Sequence, residues 1–221
     1  MPSSTVENYI KQLFLEQQRN PDQLVSMGSL AVAMGVVPGT ATSMVKALAE
    51  SGLVKYEPRA GTRLTKGGER LALHVLRRHR LLELFLVEVL GLDWSEVHDE
   101  AEQLEHVISD RVLDQMDALL GYPSVDPHGD PIPTASGSIQ SKRLIRLTEC
   151  ETGTETKVSR IMDQDPRFLQ FIDRYGLTPG TTLRLAELVP EADSLSVLCD
   201  QGLKVTLGFS AANKILVDRS Q

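Results

Sequence analysis

Residues 36–64, VVPGTATSMVKALAESGLVKYEPRAGTRL, carry a helix, a stop and a hairpin in one short run. Pro38 and Gly39 turn the chain into TATSMVKALAESG, where Val45, Leu48 and Leu53 supply an apolar helical face and Gly52 the left-handed stop. LVKYEP and TRLTK then read as two β-compatible runs, and Arg59-Ala60-Gly61 between them predicts a hairpin with a basic tip. Upstream, Val6, Tyr9, Ile10, Leu13 and Phe14 recur at three- and four-residue steps from Thr5 to about Gln18, an amphipathic helix that ends before Asn20-Pro21. Ser26 can cap a second short helix through Leu30, Ala31 and Met34, closed by Gly35. Helix, helix, turn, helix, hairpin is the order of a winged helix-turn-helix.

A plain three-helix core would explain the apolar positions equally well, so the polar ones decide. Pro38, Gly39, Thr40, Thr42 and Ser43 cluster at the N-terminal end of the second helix of the motif, Lys46 follows one turn on, and Lys55, Arg59 and Arg63 lie on the wing. Recognition helices present their first turns to base edges while basic and hydroxyl groups elsewhere hold phosphates. The combination points to DNA.

Downstream, Thr65 with Glu69 starts a long helix reaching about Leu90, whose second half, LLELFLVEVLGL, is apolar on nearly every side. Such a helix needs burial on more than one face, which predicts a subunit interface around Leu84, Phe85, Val87 and Leu90. Ser95 is expected to cap a further helix running to about Leu120. Residues 121–143 are rich in Pro, Gly and Ser and read as a linker. The runs LIRLTE, TLRLAEL, SLSVLC, LKVTLGF and KILVD then alternate with period 2 and predict a small antiparallel barrel, interrupted by the helical PRFLQFIDRYG. The expected class is therefore α+β and multi-domain, divided as a winged helix over 1–65, a helical domain over 66–120, a linker over 121–143 and a barrel over 144–221.

With 221 residues, 41% hydrophobic and 24% charged, the chain falls in the ordinary globular range and outside the disordered and collagenous ones. No run approaches a membrane span, and MPSSTVENYIKQL has no basic segment followed by an apolar one, so a cytoplasmic protein without a membrane partner is expected. Cys150 and Cys199 have no metal-ligand spacing and are expected as small core residues. The net charge of −7 conceals an asymmetry: residues 1–90 carry 11 Lys and Arg against 8 Asp and Glu, whereas residues 91–143 carry 3 against 11. The basic third suits phosphate; the acidic middle invites cations.

Within that middle, VHDEAEQLEHV would place His98, Glu102, Glu105 and His106 at i, i+4, i+7 and i+8 on one helical face, and in LRRHRLLELF His79 and Glu83 stand at i and i+4. A solvated acidic face is the bland alternative. Two helices that both set histidine beside carboxylate favour a divalent metal instead. His74 and His128 have no such company and read as surface or packing residues. Glu102 and Glu105 could also serve as an acid/base pair, but no phosphate loop, GxSxG elbow or HExxH sequence is present to complete an active site.

Winged helix, HRLLE, HDEAEQLEH and HGDPIP together make the chain resemble the diphtheria-toxin-repressor (DtxR) family of metal-dependent transcriptional regulators, over essentially all of its length. The resemblance implies winged helix, dimerisation helices, linker and a C-terminal SH3-like (FeoA-like) β-barrel. It implies a primary, activating metal site at Glu102, Glu105 and His106, joined from the first helix by Asn8, where the family has aspartate or methionine. Glu102 stands where iron-sensing members carry cysteine and manganese-sensing members glutamate. His79, Glu83 and His98 match an ancillary site, to which Gln164 of the barrel would add a ligand; Arg167, at a second ligand position, cannot. Lys11 replaces an acidic ligand of the two-domain manganese members, which argues against a binuclear site.

The implied protein is a homodimer without catalytic activity, a repressor of metal-homeostasis genes activated by Mn²⁺ or alternatively Fe²⁺. Metal would tie the first helix to the dimerisation domain, so that two recognition helices match a palindromic operator. A winged-helix regulator sensing an organic ligand, or a metallohydrolase, are the rival readings.

Overall fold

The computed structural model describes residues 2–140, 142–199 and 202–218. The chain divides into two compact units, Met1–His79 with Glu105–Ile108 and Pro133–Ile139, and Arg80–Leu104 with Ser109–Ile132 and Gln140–Gln221.

The first unit is built on α1 (Ser4–Arg19), α2 (Met27–Ala33), α3 (Pro38–Glu50) and the antiparallel ribbon β1 (Val54–Glu57) with β2 (Gly61–Leu64). Each helix has a local reason to start where it does. Ser3 caps α1 and Ser26 caps α2, and Pro38 at the first position of α3 suits a fixed φ. The apolar stripes converge: Ile10 and Leu13 of α1, Leu30 of α2 and Val45 and Leu48 of α3 are buried against Val54 and Leu64 of the ribbon. Side chains of this size each contribute about 1.5–3 kcal/mol on full burial. Val25 exchanges both backbone bonds with Thr62, and Gly61 is required there because a Cβ would come within 2.6 Å of the Val25 carbonyl. Arg59 forms the tip of the wing in left-handed backbone, φ 68°.

A long helix, α4 (Lys66–Glu88), follows; the Thr65 hydroxyl accepts the Gly68 N–H, which supplies the expected start. The single helix expected from Ser95 to Leu120 is two. α5 (Val97–Leu104) stops short, residues 105–107 turn, and Ser109 caps α6 (Asp110–Leu119) by accepting from Val112 N–H. Ser95 is not a cap: its N–H and hydroxyl both donate to Asp93, and that hydroxyl bond first, then the backbone bond, holds the Asp93 carboxyl below the usual range.

The second unit's sheet comprises β3 (Leu144–Arg146), β4 (Glu155–Ile161), β5 (Thr182–Val189), β6 (Ser194–Cys199), β7 (Lys204–Gly208) and β8 (Ile215–Asp218), in the order β3-β8-β4-β5-β6-β7. All its pairings are antiparallel. α7 (Pro166–Arg174) enters between β4 and β5, its start capped by Asp165, and α8 (Phe209–Ala212) between β7 and β8. Inward residues of the strands join Leu169 and Ile172 of α7 in one core, against which Trp94 packs. Five of the six strands match the alternating runs. β4 does not, because a bulge between Val158 and Arg160 breaks the alternation of ETKVSRI.

Residues 121–143 are also more than a connector. Asp126 Oδ1 accepts the N–H groups of His128 and Asp130, each at 2.9 Å, and closes a tight turn in which Asp126, His128, Asp130 and Ile132 are buried. The turn docks on β4: Ile161 N–H donates to the His128 carbonyl, and Gly129, φ 84°, lies where a Cβ would overlap the Ser159 carbonyl. Arg80 holds it from α4 by donating to the Pro131 carbonyl at 2.6 Å and to Asp130 at 3.3 Å, and Arg160 of β4 pairs with Asp130. An Asx turn supplies the backbone partners that the composition alone had seemed to deny this stretch.

Candidate metal centres and DNA-binding surface

In the first unit, α1, α4 and the turn after α5 bring charged groups together in a buried cluster. His106 Nδ1 is 2.6 Å from Glu7 Oε2, and Arg78 approaches the other Glu7 oxygen at 3.5 Å. A carboxylate accepts, so Nδ1–H donates, and in the neutral imidazole the lone pair of His106 then lies on Nε2. Among the described residues, that Nε2 is buried and has no hydrogen-bond partner, and the same holds for Asn8 Oδ1 one residue from Glu7. Glu105 is wholly enclosed; His79 Nδ1 lies 2.7 Å from its Oε2, and Lys11 Nζ lies 2.7 and 2.9 Å from its two oxygens. His106 Nε2 is 3.5 Å from Glu105 Oε1. Buried lone pairs without donors carry a desolvation cost that a bound cation removes. Asn8, Glu105 and His106 therefore fit a divalent ion, with Glu7 fixing the imidazole tautomer as metal-ligating histidines require.

α5 ends at Leu104, so Glu105 and His106 lie in the turn that follows rather than on the helix that carries His98 and Glu102. Glu102 is in the second unit, half-buried, 4.0 Å from His98 Nε2. Glu7 was absent from the sequence-based set. Its only signal is a carboxylate at i relative to Lys11 at i+4 beside the buried stripe of α1, a pattern that a solvent-facing ion pair would also produce.

The second unit repeats the device. His128 Nε2 is 2.9 Å from the Trp94 carbonyl, which can only accept, so the lone pair lies on Nδ1. Nδ1 is buried without a hydrogen bond, 3.9 Å from Glu83 Oε2, and Glu83, Asp126 and His128 each offer a ligand atom within 4.8 Å of the others. The other Glu83 oxygen is 3.1 Å from His98 Nδ1. Burial first, then the negative charges of Asp130 and Glu83, push the Asp126 carboxyl well above the usual range against the pull of Arg80. The expectation that His128 lacks acidic company is thus corrected, for it lies wholly buried between an aspartate and a glutamate. Gln164 is different: its backbone N–H bonds to Asp163, while its neighbours Asp165 and Asp163 cap α7 and pair with Lys214, respectively. His79 and Glu83 are one turn apart on α4, as their spacing predicts.

At the other end of the first unit, Pro38, Gly39, Thr40, Ser43 and Lys46 are exposed along the start of α3, and Arg59 is exposed at the wing tip. The hydroxyls of Thr42 and Ser43 donate to the Pro38 and Gly39 carbonyls, which leaves their oxygens only as acceptors for a further partner. Arg63 is partly committed, donating to the Pro21 carbonyl at 3.2 Å. Val32 and Val37 are exposed beside this surface and were not anticipated.

A winged helix in a chain with buried His/carboxylate clusters points to a metal-responsive DNA-binding regulator. The chain matches the family described as "Iron dependent repressor, N-terminal DNA binding domain" over residues 1–62, its "metal binding and dimerisation domain" over 65–134 and the "FeoA domain" over 145–219. It is 36% identical over 192 residues to the iron-dependent repressor IdeR of Mycobacterium leprae (strain TN), covering 81% of this chain and 83% of that one. Among solved structures it is similar to a manganese-dependent transcriptional repressor in complex with manganese, with TM-score 0.88 and 40% identity over 97% of this chain and 100% of the other. The apo form of the manganese-activated repressor ScaR superposes with TM-score 0.80 and 32% identity, again over 97% and 100%. The chain belongs to the DtxR family of metal-dependent transcriptional repressors, which control metal homeostasis.

Proposed function

We propose that this protein is a homodimeric repressor of metal-homeostasis genes in the cytoplasm, that Mn²⁺ activates it with Fe²⁺ as alternative, and that it binds a palindromic operator. The observation that carries the reading is the pair of buried, undonated ligand atoms, His106 Nε2 and Asn8 Oδ1, beside Glu105. Asn8, Glu105 and His106 would hold the activating ion, with Glu102 assigned to the set by its position in the family pattern. Oxygen ligands and one imidazole, without thiolate, favour a hard ion such as Mn²⁺, and Fe²⁺ suits the same set. When bound, the ion supplies positive charge that links α1 to the turn after α5.

An ancillary ion would use Glu83, shared between His98 on one side and Asp126 and His128 on the other; the lone pair of His128 Nδ1 and the close approach of three buried ligand atoms favour the latter set. Thr40, the first turn of α3 and Lys46 would read the operator, with Arg59 on phosphate. Leu84, Phe85, Val87 and Leu90 would form the dimer contact: the second half of α4 keeps Leu84, Phe85 and Val87 only half-buried and leaves Leu90 57% exposed, and Leu84 lines a groove with Glu88, Val89, Leu119 and Leu120.

Fluorescence anisotropy of labelled upstream DNA tests this directly. Operator affinity should rise about 10- to 100-fold in Mn²⁺ or anaerobic Fe²⁺ over chelator. Glu105→Gln and His106→Ala should abolish the increase. Affinity that is equal in chelator and Mn²⁺ would falsify the metal-sensor reading, and an organic-ligand sensor would give that result.

A further inference from the structure

The cluster around Glu105 already contains a cation. Lys11 reaches from α1 to both carboxylate oxygens, at 2.7 and 2.9 Å, and its side chain is only 7% exposed. Arg78 similarly faces Glu7. Lys11 thus places a counter-charge on Glu105, which has no exposure and is not left as an uncompensated buried charge. A divalent ion coordinated by Glu105 would stand about 2.0–2.2 Å from an oxygen that the ammonium also holds. Two cations on one enclosed carboxylate repel strongly where the dielectric is low.

We propose that Lys11 is a resident counter-ion of the activating site, one that holds Glu105 while metal is absent and that an incoming divalent ion must displace. The inference rests on the reading of Glu105 as a ligand. Its flexible four-carbon stem lets the ammonium leave without unfolding α1, which an arginine fork clasping both oxygens would do less readily. Lys11 therefore sets the metal concentration at which the site fills: the displaced ion pair is subtracted from the affinity of the ligands themselves.

Two measurements on the full chain test this. In the wild-type protein, acylation of Lys11 by an amine-directed reagent, followed by mass spectrometry, should be slow in chelator and several-fold faster in saturating Mn²⁺. Lys11→Met should bind Mn²⁺ about tenfold or more tightly in competition with a chromophoric chelator, because a repelling charge has gone; Lys11→Arg, which keeps the charge, should not. A Lys11→Met protein that folds only when Mn²⁺ is added would agree, since Glu105 would then lack any counter-ion. Equal labelling in both conditions, or equal Mn²⁺ affinity of Lys11→Met and wild type, overturns the proposal. If Mn²⁺ still activates operator binding in those samples, the metal-sensor reading stands and the role of Lys11 alone fails.

Discussion

Glu7 determines which nitrogen of His106 carries a proton. Its carboxylate takes the Nδ1–H at 2.6 Å and leaves Nε2 as a buried lone pair. Glu7→Ala should therefore weaken Mn²⁺ binding about 10- to 100-fold, the usual cost of losing the group that orients a ligating histidine, even though Glu7 need not touch the ion. Isothermal titration would show it; wild-type affinity in the variant would count against the assignment. Cys150 gives a second expectation. Burial first, then the Glu149 charge, raises its thiol pKa, so at pH 8 little thiolate is present and alkylation by iodoacetamide should be slow until the protein unfolds. Cys150 that is modified as fast as a free thiol would show that the site opens locally. At this scale the sequence was a partial guide. Glu105 and His106 stood out as a cluster, but Glu7 and the contact of Lys11 with Glu105 did not, since the partners are 99 and 94 residues away and a buried charge on a helix has the same local spacing as a solvated one.

Elements were legible where periodicity was unbroken. α1, α3 and α7 announced themselves by a stripe, and the strands with clean alternation by period 2. The failures share one cause, a local interruption that changes direction without changing composition. Ser109 restarts a helix after a turn at 105–107, a bulge shifts β4 by one residue, and Asp126 folds a Pro/Gly stretch into a docked turn. Gly129 tests that turn most directly. With φ 84° and a Cβ position 2.0 Å from the Ser159 carbonyl, Gly129→Ala has to move backbone on one side or the other. A loss of several kcal/mol is expected, of the order of about 3–4 from clash and left-handed strain together, read as a lowered midpoint in urea denaturation. On α3, Ser43 spends its hydroxyl proton on the Gly39 carbonyl, so Ser43→Ala should alter operator preference less than Thr40→Ala. Arg59→Ala at the wing should weaken all sequences alike and reduce the salt slope by about 1. Unchanged salt dependence in Arg59→Ala would remove the wing from the phosphate contacts.

The whole molecule joins basic and acidic regions whose charge was visible in the sequence, and the winged helix and barrel were visible as well. What the division into 1–65, 66–120, 121–143 and 144–221 could not contain is that residues 105–108 fold with the first unit and residues 126–132 with the second. Chain order is not packing order. Assembly is the testable property at this scale: Phe85→Asp would set a charge on the half-buried face of α4 and should give monomers in sedimentation velocity, with operator affinity lost in parallel. A Phe85→Asp dimer would move the interface elsewhere. The turn at His128 also gives the protein an optical property. Trp94 is the only tryptophan, its ring centroid lies 5.4 Å from that of His128, and its carbonyl accepts the imidazole proton. The tryptophan emission of the chain thus comes from one indole beside the Glu83–Asp126–His128 cluster. A paramagnetic ion entering there should darken the protein, whereas a closed-shell ion such as Zn²⁺ should shift its colour with less loss of light, so occupancy of that cluster can be followed by eye of a fluorimeter in unlabelled protein.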